Sequence, residues 1–178
     1  SSTTDTTFYI YYGNPAATDY AATATYGREN VWSNGYVIAT HMDDITTSTI
    51  LNSATSSFNG TKASANNPTQ SSSGKLYNAQ DNSNDHITIP NVGNGSTNIT
   101  ISGWFNANNL TGSGDTATYG YSIFSAHSGG NYTWVTAGGT GNGGSPSEVR
   151  FCGFSSSAVC NVASGSNLST RQWHYVSA

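Results

Sequence analysis

The chain is a succession of short apolar segments separated by clusters of Gly, Asn and Ser. No window keeps the 3.6-residue period of an amphipathic helix, whereas apolar and polar residues alternate at 87–89 and 99–104, as in strands with one buried face. Asn-Gly pairs at Asn34, Asn59, Asn94 and Asn142 are turn signals. The predicted strands are GYVIATHM (35–42), HITIP (86–90), NITISGWF (98–105), YSIFSAH (121–127), YTWVTAG (132–138) and EVRFCGF (148–154). Many short strands without helices predict an all-β sandwich or jelly roll.

One apolar segment breaks the alternation. Residues 8–12 read FYIYY, so Phe8, Tyr9, Ile10, Tyr11 and Tyr12 place large side chains on both faces of an extended chain. This pattern predicts a strand that is buried on both sides, although no hairpin partner stands next to it in the sequence.

Composition narrows the classes of function. Charged residues make up 8% of the 178 residues, against about 25% in an average protein. The five basic residues are scattered, which argues against nucleic-acid binding. The 21 aromatic residues argue against disorder. No apolar stretch approaches the roughly 20 residues of a membrane helix, and without an initiator Met or signal peptide we expect a mature or excised chain.

The two cysteines lie in FCGFSSSAVCN, eight positions apart. A β-hairpin over this span brings Cys152 and Cys160 within reach of a disulfide, which would indicate a secreted or extracellular protein. A metal site is disfavoured because there is no CxxC motif and no nearby His. Two unrelated buried thiols remain the alternative.

Four segments in order resemble the concanavalin A-like, laminin-G-like jelly-roll modules of secreted prokaryotic proteins. They are VWSNGYVIATHMDD (31–44), GKLYNAQDNSNDHITIP (74–90), ITISGWFNANN (99–109) and RQWHYVSA (171–178). The matching positions are Trp32, His41, Gly74, Tyr77, Asp85, Pro90, Thr100 to Trp104, Trp173, His174 and Val176. Upstream, FYIYYGNP resembles the last strand of an uncharacterised β-domain that often precedes such modules. The resemblance divides the chain into a donor-type strand segment (1–15), a connector (16–30) and a jelly roll (31–178).

Two departures from that family suggest an assembly. The rest of the upstream β-domain is missing, and the family usually continues past its W-H-V strand with further strands. Unpaired strand edges favour pairing with another chain. We therefore expect residues 8–12 to be donated to another copy of the protein, giving a filament or cell-surface appendage. The alternatives are that residues 6–12 complete their own sandwich, or that the sequence is a piece of a longer protein.

Catalytic patterns are absent from the sequence. A glycoside hydrolase needs two carboxylates at a defined separation, and the only glutamates, Glu29 and Glu148, are far apart in the sequence. The four histidines, His41, His86, His127 and His174, form no HExxH spacing. We therefore expect no enzymatic activity. Asp43 and Asp44 lie where some relatives of the resembled family bind calcium, and they are the weak candidates for a metal site.

Carbohydrate is the second candidate partner, because glycan binding is the main functional precedent for the resembled fold. Trp134, Tyr119 and Tyr121 flank Gly-rich loops and are the candidate glycan contacts, with core packing of Trp134 as the alternative. Six Asn-x-Ser/Thr sequons occur, as many as chance predicts. If the source glycosylates such sites, Asn59 and Asn131 are the candidates in surface turns.

Overall fold

The fold is known from a computed structural model. It describes residues 7–46, 48–63, 68–82, 85–90, 99–111, 120–128, 131–140, 145–154, 158–162 and 167–178, of which 126–128, 131, 132, 154 and 158–162 are described for the backbone only. The elements are α1 (Arg28–Val31), β1 (Thr49–Ile50), a 3-10 turn (Ser56–Phe58), β2 (Gly60–Lys62), β3 (Thr69–Ser71), β4 (Ala79–Asp81), β5 (Ile87–Thr88), β6 (Ser102–Asn106), β7 (Tyr121–Ser128), β8 (Asn131–Ala137), β9 (Val149–Phe154), β10 (Ala158–Val162) and β11 (Trp173–Ser177). Strands in antiparallel sheets with almost no helix confirm the predicted all-β class.

The chain divides into two compact units. The first unit comprises Ser1–Ser71 and Gln80–Val92. Its main sheet has the order β1-β2-β5, with antiparallel pairing at both interfaces. Ile50 is completely buried in this unit. A Cβ atom on Gly60 would lie 2.8 Å from Cγ2 of Ile87 and 3.3 Å from Cβ of Ile50, so glycine allows these strands to pack closely.

The predicted strand at 35–42 is wrong, because this segment forms no strand. The amide of buried Asn52 pairs with its backbone instead: Nδ2 donates to the Val37 carbonyl (2.9 Å), and Oδ1 accepts from the Ala39 amide (2.9 Å). The segment ends at Met42, which has a φ of 59°. A side chain therefore takes the place that a neighbouring strand would have.

The second unit comprises Ser72–Ala79 and Gly93–Ala178. It contains a four-stranded antiparallel sheet in the order β10-β9-β8-β7 and a two-stranded antiparallel sheet, β11-β6. The two sheets face each other across one hydrophobic core. The buried core residues are Val135, Val149 and Val176, and the half-buried ones around them are Phe105, Ile123, Phe124 and Leu168.

Four of the six predicted strands are found largely where the short apolar segments placed them, as β6, β7, β8 and β9, and HITIP shortens to β5. Residues 28–31, at the end of the predicted connector, form the single helical turn α1. The jelly-roll connectivity and the division at residues 15 and 30 stay predictions. The predicted turns at Asn94 and Asn142 lie outside the described residues.

Candidate functional site

The candidate site begins with the N-terminal apolar segment. Residues 7–14 form no strand, and the side chains of Phe8, Tyr9, Ile10, Tyr11 and Tyr12 are 76–93% exposed. A turn follows, in which the Asn14 side-chain oxygen accepts the Ala16 amide at 3.0 Å and the Asn14 carbonyl accepts the Ala17 amide at 3.1 Å. Within the described part of the chain, this segment pairs with no strand.

Five consecutive exposed aromatic and aliphatic side chains are unusual for a monomer. Single exposed apolar residues are common on protein surfaces, whereas contiguous exposed apolar patches mark sites of interaction. A segment without a strand partner also offers its backbone N–H and C=O groups to another chain. The segment therefore has the chemistry that strand addition requires.

A second exposed apolar feature lies on the outer face of the β6–β11 sheet. Trp104 and Tyr175 are cross-strand partners, 43% and 57% exposed, with ring centroids 5.3 Å apart. The Lys75 ammonium lies 5.1 Å from the centre of the Trp104 ring, within the range of a cation–π contact. Alternation predicted that Trp104 is in a strand, but its pairing with a residue 71 positions later could not be read from local sequence.

Two of the three candidate glycan contacts are half-buried. Trp134 is half-buried in β8, opposite Cys152 of β9, and Tyr121 is half-buried at the start of β7. Tyr119 lies outside the described residues. The structure thus brings Trp104 and Tyr175 together at the surface, rather than the residues that flank the Gly-rich loops.

The loop at 42–46 contains the candidate calcium ligands, and protein donors already contact its carbonyl oxygens. The Lys62 ammonium donates to the carbonyls of Asp44 and Thr46, at 3.3 and 2.7 Å. Gln80 Nε2 donates to the carbonyls of Met42 and Asp44, both at 3.0 Å. Oδ2 of Asp44 accepts the Leu51 amide at 3.1 Å.

The amide of Gln70 completes this network by donating to the Asp43 carbonyl at 2.6 Å. An ammonium group and two side-chain amides therefore hold the loop through its backbone oxygens. Among the described residues, no group of three or more His, Cys, Asp or Glu side chains could hold a metal ion.

The cysteines are placed opposite each other. The Cα atoms of Cys152 in β9 and Cys160 in β10 are register partners in the hairpin, and Cys152 is completely buried. No free cysteine occurs among the described residues. The side chain of Cys160 lies outside what the structure describes.

The two glutamates and the two candidate glycosylation sites are also among the residues that the sequence singled out. Glu29 lies in the first turn of α1, whereas the Glu148 carboxylate accepts the Ser145 amide at 2.8 Å. Asn59 is half-buried, and its Oδ1 accepts the Asn52 amide at 2.9 Å. The Asn131 side chain lies outside the described part.

Two histidines stand at positions that match the resembled family, His41 and His174, and both take part in local contacts. His174 Nε2 lies 3.2 Å from the Ser169 amide nitrogen and 3.0 Å from the Ser169 carbonyl oxygen. The exposed ring of His41 lies 6.1 Å from that of Trp32.

No protein-family model, curated protein or solved structure matches this chain. Within the described ranges, no helix is long and apolar enough to cross a membrane. The exposed apolar segment at 8–12 and the exposed Trp104–Tyr175 pair are therefore the features of this chain that bear on its function.

Proposed function

We propose that the protein is a non-enzymatic extracellular structural protein, the protomer of a filament or surface appendage. Its copies are joined when residues 8–12 of one copy add as a strand to a neighbouring copy. The observation that carries the proposal is the near-complete exposure of five consecutive large side chains in an unpaired segment.

Burial of that segment supplies the free energy for the contact. Each large apolar side chain that moves from water into a protein interior contributes roughly 1.5–3 kcal/mol. Backbone hydrogen bonds to the acceptor strand add affinity, and the alternate side chains of the donated segment supply specificity by fitting the acceptor surface. Five such side chains give a contact strong enough to persist at low protomer concentration, even after the entropic cost of ordering the segment.

Strand donation also accounts for a filament rather than a closed dimer. The donor is one surface of the protomer and the acceptor is another, so the contact is heterologous. A heterologous contact repeats from copy to copy and extends indefinitely, unless the rotation between copies closes a ring.

Electron microscopy of the purified full chain tests the proposal. Three variants are compared with it: a deletion of residues 1–13, the substitution Ile10→Asp, and the control substitution Ile45→Asp. The control changes an equally exposed isoleucine outside the segment. We expect filaments from the full chain and from Ile45→Asp, and soluble folded protomers from the other two. A peptide of residues 5–13 should cap growing ends.

Two results would contradict strand donation. The proposal is wrong if the full chain stays a folded monomer at concentrations where other appendage proteins assemble. Filaments that form equally well without residues 1–13 would show that another surface makes the contact.

The extracellular setting and the finer fold are part of this proposal. We propose a disulfide between Cys152 and Cys160, supported by their position as register partners in the β9–β10 hairpin. A disulfide favours an oxidising compartment. We also propose that the two facing sheets of the second unit belong to a concanavalin A-like jelly roll, supported by the four ordered segments in the sequence.

A secreted carbohydrate-binding or adhesive module is the second candidate function. It is favoured by the exposed Trp104–Tyr175 pair, with Lys75 above the indole. Aromatic faces of this kind stack on sugar rings. A glycan array with the monomeric protein tests it: Trp104→Ala should abolish binding, whereas Tyr36→Ala, at an exposed tyrosine elsewhere in the chain, should not.

A further inference from the structure

The four-stranded sheet has an exposed aromatic side chain, Phe151, on the face that packs against β6 and β11. Val135 of β8 and Phe151 of β9 are cross-strand neighbours on the same face. Val135 is 1% exposed, whereas Phe151 is 39% exposed and does not belong to the core cluster. Along this face of β9, exposure therefore rises from 9% at Val149, which belongs to the core cluster, to 39% at Phe151, two residues later.

The positions of β6 and β11 show which strands of the four-stranded sheet they cover. A Cβ atom on Gly103 of β6 would approach Cζ of Phe124 to 3.0 Å, so β6 lies over β7. Val176 of β11 packs in the cluster with Val135 and Val149, so β11 lies over β8 and the near side of β9. Phe151 lies on the same face of the four-stranded sheet as Val135 but outside this cluster, so a further strand beside β11, on the side away from β6, would have Phe151 to cover.

The backbone of β11 is oriented to accept a strand at this edge. The Ile101 and Ala178 backbones exchange both hydrogen bonds, at 2.7 and 2.8 Å. Hydrogen-bonded and non-hydrogen-bonded pairs alternate along an antiparallel ladder, so Trp104–Tyr175 is a non-hydrogen-bonded pair. The N–H and C=O groups of Tyr175 therefore point away from β6, and no described strand pairs with them.

We propose that the free edge of β11 is the acceptor, and that residues 8–12 of a second copy occupy it. This inference rests on the proposed strand donation. In the added strand Phe8, Ile10 and Tyr12 face inward and cover Phe151. Tyr9 and Tyr11 face outward beside Tyr175.

This arrangement explains why the donor segment does not alternate. Its inward residues complete a hydrophobic core, as in any sandwich strand. Its outward residues extend the exposed aromatic row that begins with Trp104 and Tyr175, and aromatic cross-strand neighbours stabilise a sheet. Both faces of the donor therefore meet aromatic or aliphatic side chains.

Photo-crosslinking in assembled filaments tests the acceptor. p-Benzoylphenylalanine replaces Tyr11 in one sample and Ile10 in another, in the full chain, with ¹⁴N and ¹⁵N copies mixed so that inter-copy products are recognised by mass. Trypsin then separates residues 151–171, which contain Phe151, from residues 172–178, which contain Tyr175. We expect the Tyr11 probe to link to 172–178 of another copy and the Ile10 probe to link to 151–171.

The outcomes distinguish this inference from strand donation itself. Inter-copy links to residues 29–62 or 76–150 would overturn the β11 acceptor while leaving strand donation standing. Links formed only within one copy would overturn both. Absence of filaments from unsubstituted protein would overturn the proposed function before the acceptor is reached.

A substitution gives an independent measurement. Phe151→Asp should raise the critical concentration for assembly about tenfold, because the covered surface then contains a carboxylate. Ile45→Asp is the matched control and should leave the critical concentration unchanged. The thermal unfolding of both variants is recorded to establish that they fold. A folded Phe151→Asp variant with an unchanged critical concentration would overturn the β11 acceptor.

Discussion

The Nζ atom of Lys62 lies 2.7 Å from the carbonyl oxygen of Thr46. Lys62 is buried, and its ammonium also contacts the Asp44 carbonyl at 3.3 Å. Buried ammonium groups are costly unless hydrogen-bonded, and here two backbone oxygens satisfy the charge. The loop at 42–46 is therefore held from inside by a long side chain of strand β2.

Removal of this ammonium should destabilise the first unit. Lys62→Met keeps the length of the side chain but removes the donor to the Thr46 carbonyl and leaves the Asp44 carbonyl with Gln80 alone, which costs about 1–3 kcal/mol of unfolding free energy. Urea denaturation measures the change. Lys75→Met is the control, since Lys75 is exposed and should lose at most about 1 kcal/mol. Equal effects of the two substitutions would contradict the role given to Lys62.

The donor segment should contribute nothing to the stability of the isolated protomer. Ile10 is exposed, so Ile10→Asp should change the unfolding free energy by less than about 0.5 kcal/mol. Val135→Ala, at a buried position of the core cluster, should cost about 2 kcal/mol. Both are measured by denaturation below the assembly concentration. A large loss for Ile10→Asp would indicate that the segment packs on its own protomer.

Local sequence predicted four strands of the second unit, β6 to β9, and failed at 35–42. Strands β6 to β9 were predictable because each carries its own apolar and polar pattern. The segment at 35–42 carries a similar pattern, but its backbone pairs with the Asn52 side chain, which no local rule indicates.

Only the contiguous part of the candidate site could be predicted, because local sequence does not show which distant segments meet. The donor residues are contiguous and stand out in the sequence. The Trp104–Tyr175 pair, the exposure of Phe151 and the contact between Lys62 and Thr46 all depend on which distant segments meet.

The proposed disulfide between Cys152 and Cys160 should leave the unreduced protein without titratable thiol groups. Thiol titration of the denatured, unreduced protein should give no free sulfhydryl, and about two after reduction. Reduction should lower the unfolding free energy by about 2 kcal/mol, the value expected for closing a loop this short. The double variant Cys152→Ala/Cys160→Ala should be insensitive to reductant. If two thiols titrate before reduction, the proposal of a disulfide is wrong.

Two glycines of the second unit should respond differently to alanine. Gly103→Ala places a methyl group 3.0 Å from Cζ of Phe124, so the ring must shift, at a cost of about 1–3 kcal/mol. Gly153→Ala meets no atom of the described residues within 4 Å and should be neutral or slightly stabilising. Comparison of their melting temperatures tests how closely β6 approaches β7. Similar melting temperatures would indicate a looser approach.

The exposure of residues 8–12 separates two properties that are coupled in most proteins. A segment whose side chains are mostly exposed in the protomer can change in sequence with little effect on how the rest of the chain folds or how long the fold lasts. In the proposed assembly, selection tunes the strength of association through these few positions, while the rest of the chain stays under a different constraint. In such a molecule, cohesion between copies and the endurance of each copy evolve as independent traits.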